Sequence, residues 1–384
     1  MTRPRAEDFL ELIERLRRGR LKVYIGFAAG VGKTYRMLEE AHALAKRGVD
    51  VVVGLVETHG RADTAALIDG LDVVPRRVLE YRGLRVEEMH LEAIVARRPE
   101  IALVDEVAHS NVPGSRHAKR YEDVYTLLDA GINVICAFNV QHLESLKDLV
   151  EQATGIEIRE TVPDTFLEQA DQVVNLDLAV EDLLERLRAG KIYAPEKVTR
   201  ALENFFQEDK LSTLRELALR EVAENLGRAA LAKEKTVDGE PRALRRGSER
   251  VMVCISSQSP GAATLLRRGS RLAGRLNTDW YVAYVEAPSE SPERIDSASQ
   301  RILLANIRKA SELGAEVVRL RGRDVAATLL DFARSHAVAH VLIGRSHQRW
   351  WRRRLRRDFV QRMVREADDF DLYICGASES GAPS

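Results

Sequence analysis

The segment LKVYIGFAAGVGKT at residues 21–34 constrains the fold of this 384-residue chain more than any other stretch. Alternating apolar residues, Val23 and Ile25, run into a turn that contains three glycines, and an amphipathic segment follows. This order is typical of a β-strand, a loop and an α-helix. Backbone N–H groups at the start of such a helix can surround phosphates, because glycine permits close approach and unusual backbone angles. The segment therefore predicts a phosphate-binding loop.

The positions of this loop have separate predicted contacts with a nucleoside triphosphate. Lys33 would contact the β- and γ-phosphates, and the Thr34 hydroxyl would ligate Mg²⁺. The spacing departs from the usual pattern once, since Phe27 stands where the first glycine would fall. A glycine-rich turn without a ligand remains the open alternative. The predicted nucleotide-binding positions of the loop are Gly26, Ala29, Gly30, Val31, Gly32, Lys33, Thr34 and Tyr35.

An apolar run at residues 101–104 ends in two acidic residues, Asp105 and Glu106. In open α/β sheets, ligands bind beyond the carboxyl ends of the strands. Asp105 is therefore the predicted second Mg²⁺-coordinating residue, acting through water, together with Thr34. Glu106 would orient an attacking water if the nucleotide is hydrolysed, and it is the one predicted catalytic residue.

Polar side chains also follow other predicted strands. Glu57 and Arg61 come after a β-branched run and are expected to face the nucleotide, with a solvated loop as the alternative. Asn139 ends a further strand, where it could sense the γ-phosphate, and Arg116 lies in a turn-rich loop and could contact an anion. The histidines of these loops fit no zinc-binding spacing and are interpreted as plain polar residues. They are His59, His109, His117 and His142.

Composition limits the other classes of function. Lys+Arg and Asp+Glu both number 59, so no overall charge favours nucleic acid or an anionic membrane. The three cysteines lie far apart in apolar runs and form no Cys-x-x-Cys pair, as expected for reduced thiols in the cytosol. No apolar run approaches the ~18 residues that span a bilayer, and the charged N-terminus does not resemble a signal peptide. These features predict a cytoplasmic protein without a membrane span.

The alternation of strand and helix patterns predicts two α/β domains. A phosphate-loop domain with a parallel sheet is predicted for residues 1–235, including an N-terminal helix at 7–18 and a helix at about 86–97. Residues 236–248 are a predicted linker. Five strands alternating with four helices follow at 249–376, which predicts a smaller doubly wound domain with flavodoxin-like strand order and a flexible tail at 377–384.

Six motifs in order resemble the cytoplasmic N-terminal region of the KdpD family of potassium-responsive sensor histidine kinases. They are GFAAGVGKT, ETHGR, LVDEVAHSNVPGSR, FNVQHLESL, ETVPD, and ALENFF followed by LRELALR. The resemblance implies that ATP with Mg²⁺ occupies the loop and biases kinase and phosphatase signalling in the control of high-affinity potassium uptake. The implied partner is a histidine kinase or another component of that system. The chain lacks a histidine-phosphorylation box and a kinase ATP lid, so we do not expect a complete histidine kinase.

The predicted second domain resembles universal stress proteins. Many of these bind ATP through a Gly-x-x-Gly motif and a later Gly-Ser/Thr, but Arg-Ser-His-Gln-Arg-Trp follows Gly344, so no second ATP site is predicted. In some relatives this domain binds cyclic di-AMP through a Ser-x-Ser pair and later aromatic residues. Ser257, Ser259, Trp280 and Tyr284 match that pattern. The hydroxyls could bond a phosphate and the rings could stack on adenine, or the rings could pack the core of the sheet.

A basic run, RWWRRRLRR, begins with Arg349 and ends with Arg357. It could be a solvated helix face, a docking site for an acidic or phosphorylated partner, or a surface for anionic lipid or nucleic acid. The balanced charge and the lack of a nucleic-acid-binding motif rank nucleic acid last, and none is expected. Two other classes of function stay open. One is a slow ATPase or small-molecule kinase at the phosphate loop, and the other is a binding module at the basic run.

Overall fold

The computed structural model describes residues 18–237, 250–256, 262–276, 278–286, 296–344, 353–367 and 370–376. Two compact units are present: Met1–Val162 with Phe166–Ala223, and Pro163–Thr165 with Glu224–Ser384. Several predicted features lie outside the described residues. They are most of the helix at 7–18, most of the linker, the tail, Ser257, Ser259 and the first residues of the basic run.

The first unit is built on a six-stranded parallel sheet with the order β3-β2-β6-β7-β1-β8. A separate antiparallel hairpin pairs β4 with β5. The strands are β1 (Leu21–Gly26), β2 (Val51–Leu55), β3 (Asp72–Val73), β4 (Arg77–Tyr81), β5 (Leu84–Glu88), β6 (Ile101–Val104), β7 (Asn133–Asn139) and β8 (Gln172–Leu176).

Helices cover both faces of this sheet, as a parallel sheet requires. On one face, Val23 and Ile25 of β1 join a large apolar core, while Tyr24 points to the opposite core with Met37 and Leu38. The helices are α1 (Lys33–Lys46), α2 (Ala62–Ala66), α3 (Leu91–Arg97), α4 (Arg120–Asp129), α5 (Lys147–Thr154), α6 (Asp164–Glu168), α7 (Val180–Arg188), α8 (Pro195–Asn204) and α9 (Glu208–Val237).

The helix predicted at about 86–97 is too long at its start. Residues up to Glu88 belong to the β4–β5 hairpin, and α3 begins only at Leu91. Arg82 and Gly83 close the hairpin with φ of 52° and 77°. Such a two-residue turn with positive φ matches the twist of the paired strands. The turn therefore explains why Leu84–Glu88 form a strand, although the apolar spacing alone suggested that a helix begins there.

The second unit is a five-stranded parallel sheet with helices on both faces, which confirms the predicted doubly wound α/β class. The helices α10 and α11 pack against one face, and α12 and α13 pack against the other. The elements are β9 (Arg250–Ile255), α10 (Ala262–Leu276), β10 (Trp280–Glu286), α11 (Ser297–Glu312), β11 (Glu316–Arg321), α12 (Val325–Ser335), β12 (Val338–Gly344), α13 (Arg353–Arg365) and β13 (Asp371–Cys375).

The predicted flavodoxin-like strand order of this sheet is wrong. That order would place the second strand, β10, at an edge of the sheet. In the observed order, β11-β10-β9-β12-β13, β10 lies between β11 and β9, and β11 is at the edge. Six of the seven residues of β10 are buried, which suits an interior strand, while β11 carries exposed arginines and forms the edge. Strands and helices alternate along the chain in the same way for both strand orders. Only the burial of particular strands therefore distinguishes one order from the other.

Candidate nucleotide-binding site

The glycine-rich loop, residues 27–32, connects β1 to α1 and needs glycine at two positions. Gly30 and Gly32 have φ of 91° and 104°, a region that side chains other than glycine rarely adopt. A Cβ atom on Gly30 would also lie 2.3 Å from Cδ1 of Ile192. Gly32 immediately precedes the first turn of α1, where unpaired backbone N–H groups favour an anion.

Phe27 explains the departure of this loop from the usual glycine spacing. Its side chain is only 1% exposed and belongs to the large apolar core of the first unit. The phenyl ring therefore anchors the start of the loop instead of facing a ligand. The preceding residue is Gly26, and a Cβ atom at this position would lie 2.6 Å from Val31 Cγ2 and 3.4 Å from Lys33 Cδ.

Lys33 reaches back over the loop to the end of a neighbouring strand. Its Nζ donates to the carbonyl oxygen of Ala28 at 2.9 Å and to the side-chain oxygen of Asn139 at the end of β7. Burial lowers the pKa of Lys33 to about 8, although Asp105 opposes this shift. A buried amine without a carboxylate in hydrogen-bond contact is suited to receive an anionic ligand.

Thr34 and Asp105 form the second half of the site. The Thr34 hydroxyl donates to Oδ2 of Asp105 at 2.9 Å, and both residues are buried. Burial raises the pKa of Asp105, while the hydrogen bonds from Thr34 and from the Glu106 amide oppose this shift. A hydroxyl and a carboxylate are hard oxygen donors of the kind that Mg²⁺ prefers alongside waters and substrate phosphates. These two residues therefore fit the predicted metal.

One cleft brings most of the predicted residues together at the carboxyl ends of β1, β2, β6 and β7. The predicted residues that line it are Ala29, Gly30, Gly32, Lys33, Thr34, Arg61, Asp105, Glu106 and Asn139. Other lining residues were not predicted to bind: His59, Ala108, His109, Ala137, Phe138, His142 and Glu160. All of them except Glu160 lie at or after the end of a parallel strand, a signal that the sequence does contain.

Five predicted residues of the first unit do not line the cleft, and the first of them, Gly26, is the last residue of β1. Glu57 turns to Arg76, with 2.7 Å between Oε1 and Nη1. Arg116 is exposed and lines a separate small pocket. Val31 is buried in the core, and Tyr35 is 40% exposed on α1. None of these five residues lines the cleft, although Glu57, Val31 and Tyr35 all follow a strand end closely in sequence.

Glu106 contacts two basic side chains, an imidazole and a guanidinium. His59 Nε2 lies 2.9 Å from Glu106 Oε1, and Arg120 Nη1 lies 3.9 Å from Oε2. The hydrogen bond with Glu106 raises the pKa of His59 and lowers that of Glu106. Arg120 is itself buried and binds Glu88 at 3.2 Å, and His109 pairs with the other oxygen of Glu88 at 3.1 Å.

The aromatic candidates of the second unit lie in its core. Trp280 is 5% exposed and Tyr284 is 4% exposed, and both belong to the cluster that packs under α10 and α11. The ring of Trp280 lies close to Gly269, where a Cβ would be 3.1 Å from Cζ3. The structure therefore places both rings in the packing position that the sequence left open.

Among the helices of the described ranges, none combines the length and apolar character that a membrane-spanning helix requires.

Two family models match the chain. The model described as "Osmosensitive K+ channel His kinase sensor domain" matches residues 17–226. The model described as "Universal stress protein family" matches residues 247–368. Together they cover most of both compact units.

The chain is similar to several curated proteins over most of its length. It is 44% identical to the "Sensor protein KdpD" of Escherichia coli, covering 99% of this chain and 42% of that protein. It is 43% identical to the protein of the same name from Mycobacterium tuberculosis, covering 93% and 41%. It is 41% identical to the "Putative sensor protein KdpD" of Synechocystis, covering 93% and 94%. The chain thus spans about two fifths of the first and second of these relatives, and nearly all of the third.

Solved structures of universal stress proteins resemble the second unit weakly. One in complex with cAMP covers 35% of this chain at 18% identity with a TM-score of 0.28. One from Archaeoglobus fulgidus in complex with dAMP covers 33% at 18% identity with a TM-score of 0.25.

Proposed function

Because the chain belongs to the family of KdpD sensor proteins, we propose that it is the ATP-binding regulatory part of a two-component system for high-affinity potassium uptake. In this proposal, Mg²⁺ and ATP occupy the cleft of the first unit. Occupancy biases the balance between kinase and phosphatase activity, either within a longer chain or on a partner histidine kinase.

The observation that carries this proposal is the convergence of three polar contacts at one end of one sheet. Lys33 reaches Asn139, Thr34 reaches Asp105, and the first turn of α1 opens on the same cleft. These are the side chains that would contact the phosphates, sense the γ-phosphate and hold Mg²⁺. Lys33 and Asn139 are 106 residues apart in the sequence, and Thr34 and Asp105 are 71 apart, so the fold itself assembles the site.

In this proposal, two loops that line the cleft change arrangement when ATP binds. Arg61 follows β2 and lines the cleft, and its guanidinium now bonds the carbonyl oxygens of Thr58 and Glu57 at 2.8 and 3.4 Å. His109 follows β6 and lines the cleft from the other loop. Contacts with a γ-phosphate would draw Arg61 from its own backbone, which is how nucleotide-dependent loops change arrangement in other proteins.

The test is calorimetric titration of the full chain with ATP and Mg²⁺, using Lys33→Ala and the matched control Lys46→Ala. Lys46 lies on the same helix and is exposed in its last turn. A hydrogen bond to a charged group contributes about 1.5–3 kcal/mol, so Lys33→Ala should weaken ATP binding by about 10- to 150-fold. Lys46→Ala should bind as the wild type does. Equal affinity in the wild type and Lys33→Ala would refute the site.

Turnover separates this proposal from its enzymatic rival, an NTPase or small-molecule kinase at the same cleft. A regulatory site should bind ATP tightly and release phosphate slowly. Phosphate release at many turnovers per minute without a partner protein would favour the enzyme.

For the second unit, the proposal includes two ligands: cyclic di-AMP and an acidic or phosphorylated partner. The matching residues Ser257, Ser259, Trp280 and Tyr284 support the first, and the run from Arg349 to Arg357 supports the second. Because both aromatic rings are buried, cyclic di-AMP would have to bind without stacking on them or after a rearrangement. Titration with cyclic di-AMP tests this, and Ser257→Ala with Ser259→Ala should remove any heat of binding.

A further inference from the structure

We propose that His59 is a positioning residue that holds the Glu106 carboxylate in an ion pair, away from the place where it would activate water. The site would thereby retain ATP long enough to act as a sensor. This inference rests on the proposed function, since it concerns the fate of ATP in the same cleft.

Both carboxylate oxygens of Glu106 face a cationic side chain. His59 Nε2 lies 2.9 Å from Oε1, and Arg120 Nη1 lies 3.9 Å from Oε2. Arg120 also donates to the backbone carbonyl of Glu106 at 3.3 Å. Arg120 is buried and bonded to Glu88, whereas His59 is half-exposed on the loop after β2. Of the two partners, His59 is therefore the one that can release Glu106.

The backbone fixes the direction of each partner. His59 and Glu106 both have left-handed φ, 50° and 52°, which is uncommon for residues other than glycine. The Glu106 amide donates to Oδ1 of Asp105 at 2.9 Å, while Oδ2 of the same aspartate accepts from Thr34. Asp105 is thus directed to the predicted Mg²⁺ position, and its neighbour is turned toward His59. Strained conformations of this kind persist where the surrounding contacts hold them.

Hydrolysis would require Glu106 to act differently. The oxygen of a water molecule would bond to the γ-phosphorus as the bond to the β–γ bridging oxygen breaks and its electron pair leaves with ADP. The water proton would pass to Glu106 and then to the phosphate product. In the structure, Oε1 of Glu106 is already paired with His59 Nε2 at 2.9 Å and is therefore not free to accept this proton. Freeing this carboxylate should therefore speed the step.

The charge of His59 makes the restraint sensitive to pH. Its surroundings are Glu106, Arg61 and Asp105, while Glu106 is also faced by Arg120 and His109. The hydrogen bond with Glu106 raises the pKa of His59, so the ion pair is complete at low pH and weakens as the pH rises through that raised pKa. Lys33 titrates in the alkaline range too, but it is common to all variants and cancels in a ratio of rates.

The experiment measures ATP affinity and single-turnover phosphate release for the full chain between pH 6.5 and 9. His59→Ala should release phosphate about fivefold faster than the wild type at pH 6.5, which corresponds to ~1 kcal/mol for a partly exposed ion pair. The ratio should fall toward one at pH 9. His59→Lys keeps a cation at both pH values and should stay at the slow rate throughout.

Two controls make the result specific. His42→Gln changes a histidine of α1 that bonds the carbonyl of Leu67, and it should leave the rate unchanged. Adding Glu106→Gln to His59→Ala should slow phosphate release by about 100-fold or more relative to His59→Ala, because the general base is then lost.

The inference is overturned if His59→Ala binds ATP normally and releases phosphate no faster than the wild type. It is also overturned if His59→Ala loses ATP affinity, because His59 would then be a binding residue. Failure of the wild type to bind ATP, or normal binding by Lys33→Ala, would instead overturn the proposed function.

Discussion

The two parallel sheets of this chain share a layout but differ in what lies at the carboxyl ends of their strands. In the first unit, β6 and β7 lead to Asp105 and Asn139, which meet Thr34 and Lys33 inside a cleft. In the second unit, β10 ends at Glu286, whose carboxylate pairs with arginines of β11 at the surface. At these strand ends the first unit therefore holds charges inside a cleft, whereas the arginines of the second unit are exposed.

Surface ion pairs are compatible with the fold alone, whereas ionisable groups buried in a cleft indicate a ligand. Burying an ionisable group costs free energy unless it is paired. The first unit buries Lys33 and Asp105 in the cleft, and it also buries Glu88 and Arg120, which contact the cleft residues His109 and Glu106. Shifted pKa values that cluster in a cleft are a mark of functional sites. Among the described residues of the second unit, the shifted carboxyl pKa values belong to Glu286, Asp324, Asp296 and Glu366, which are paired or capped at the surface.

The largest expected effect comes from breaking a buried pair in the first unit. Arg120→Ala leaves Glu88 buried with His109 and the Val112 amide as its remaining partners, and loss of one partner of a buried pair costs about 3–5 kcal/mol of unfolding free energy. Arg362→Ala breaks the surface pair with Asp324 in the second unit and should leave stability unchanged. Urea unfolding followed by circular dichroism measures both.

The tryptophans make that comparison sharper. Trp280, Trp350 and Trp351 all belong to the second unit, so tryptophan fluorescence follows that unit alone. We expect Arg120→Ala to shift the dichroism midpoint to lower urea while the fluorescence midpoint stays. An equal shift of both signals, or a shift of neither, would contradict the distinction between buried and surface pairs.

A smaller effect is expected from two glycines that are equally crowded. A Cβ would lie 2.3 Å from Ile192 at Gly30 and 2.3 Å from Val253 at Gly269. Overpacking of this kind costs about 1–3 kcal/mol, so both Gly30→Ala and Gly269→Ala should lower thermal stability. Only Gly30→Ala should also weaken ATP binding in calorimetry. If Gly269→Ala weakens ATP binding as much, the assignment of the nucleotide to the first unit is in error.

The smallest expected signal is proton uptake at Lys33. The pKa of this amine is about 8 in the free protein, and contact with phosphates should raise it. At pH 8, ATP binding should therefore take up about half a proton, and the uptake should vanish near pH 6.5. Calorimetry in buffers with different ionisation enthalpies measures it. Lys33→Arg stays charged and should bind ATP without this uptake.

Much of the site could be predicted from local sequence because each part carries its own signal. The glycines before Lys33 and Thr34 predict the loop, and an acid after an apolar run predicts Asp105. Asn139 was predicted from its place at a strand end, and the structure brings it to Lys33. Their meeting follows from one rule, that parallel strands end on the same edge of a sheet.

The features that were missed depend on contacts between distant residues. Nothing local distinguishes Glu57, which turns to Arg76, from His59, which turns into the cleft two residues later. The burial of Phe27 depends on the core that surrounds it, and the order of the second sheet depends on which strands are interior. Patterns of alternation specify elements, but tertiary packing decides where their side chains point.

The most direct test of the central claim is an electron-density map of the full chain with Mg²⁺ and a non-hydrolysable ATP analogue. The account predicts triphosphate density over Gly30 and Gly32 and against Lys33, with a metal peak beside Thr34 and Asp105. Nucleotide density at the second unit, with the cleft of the first unit empty, would contradict it.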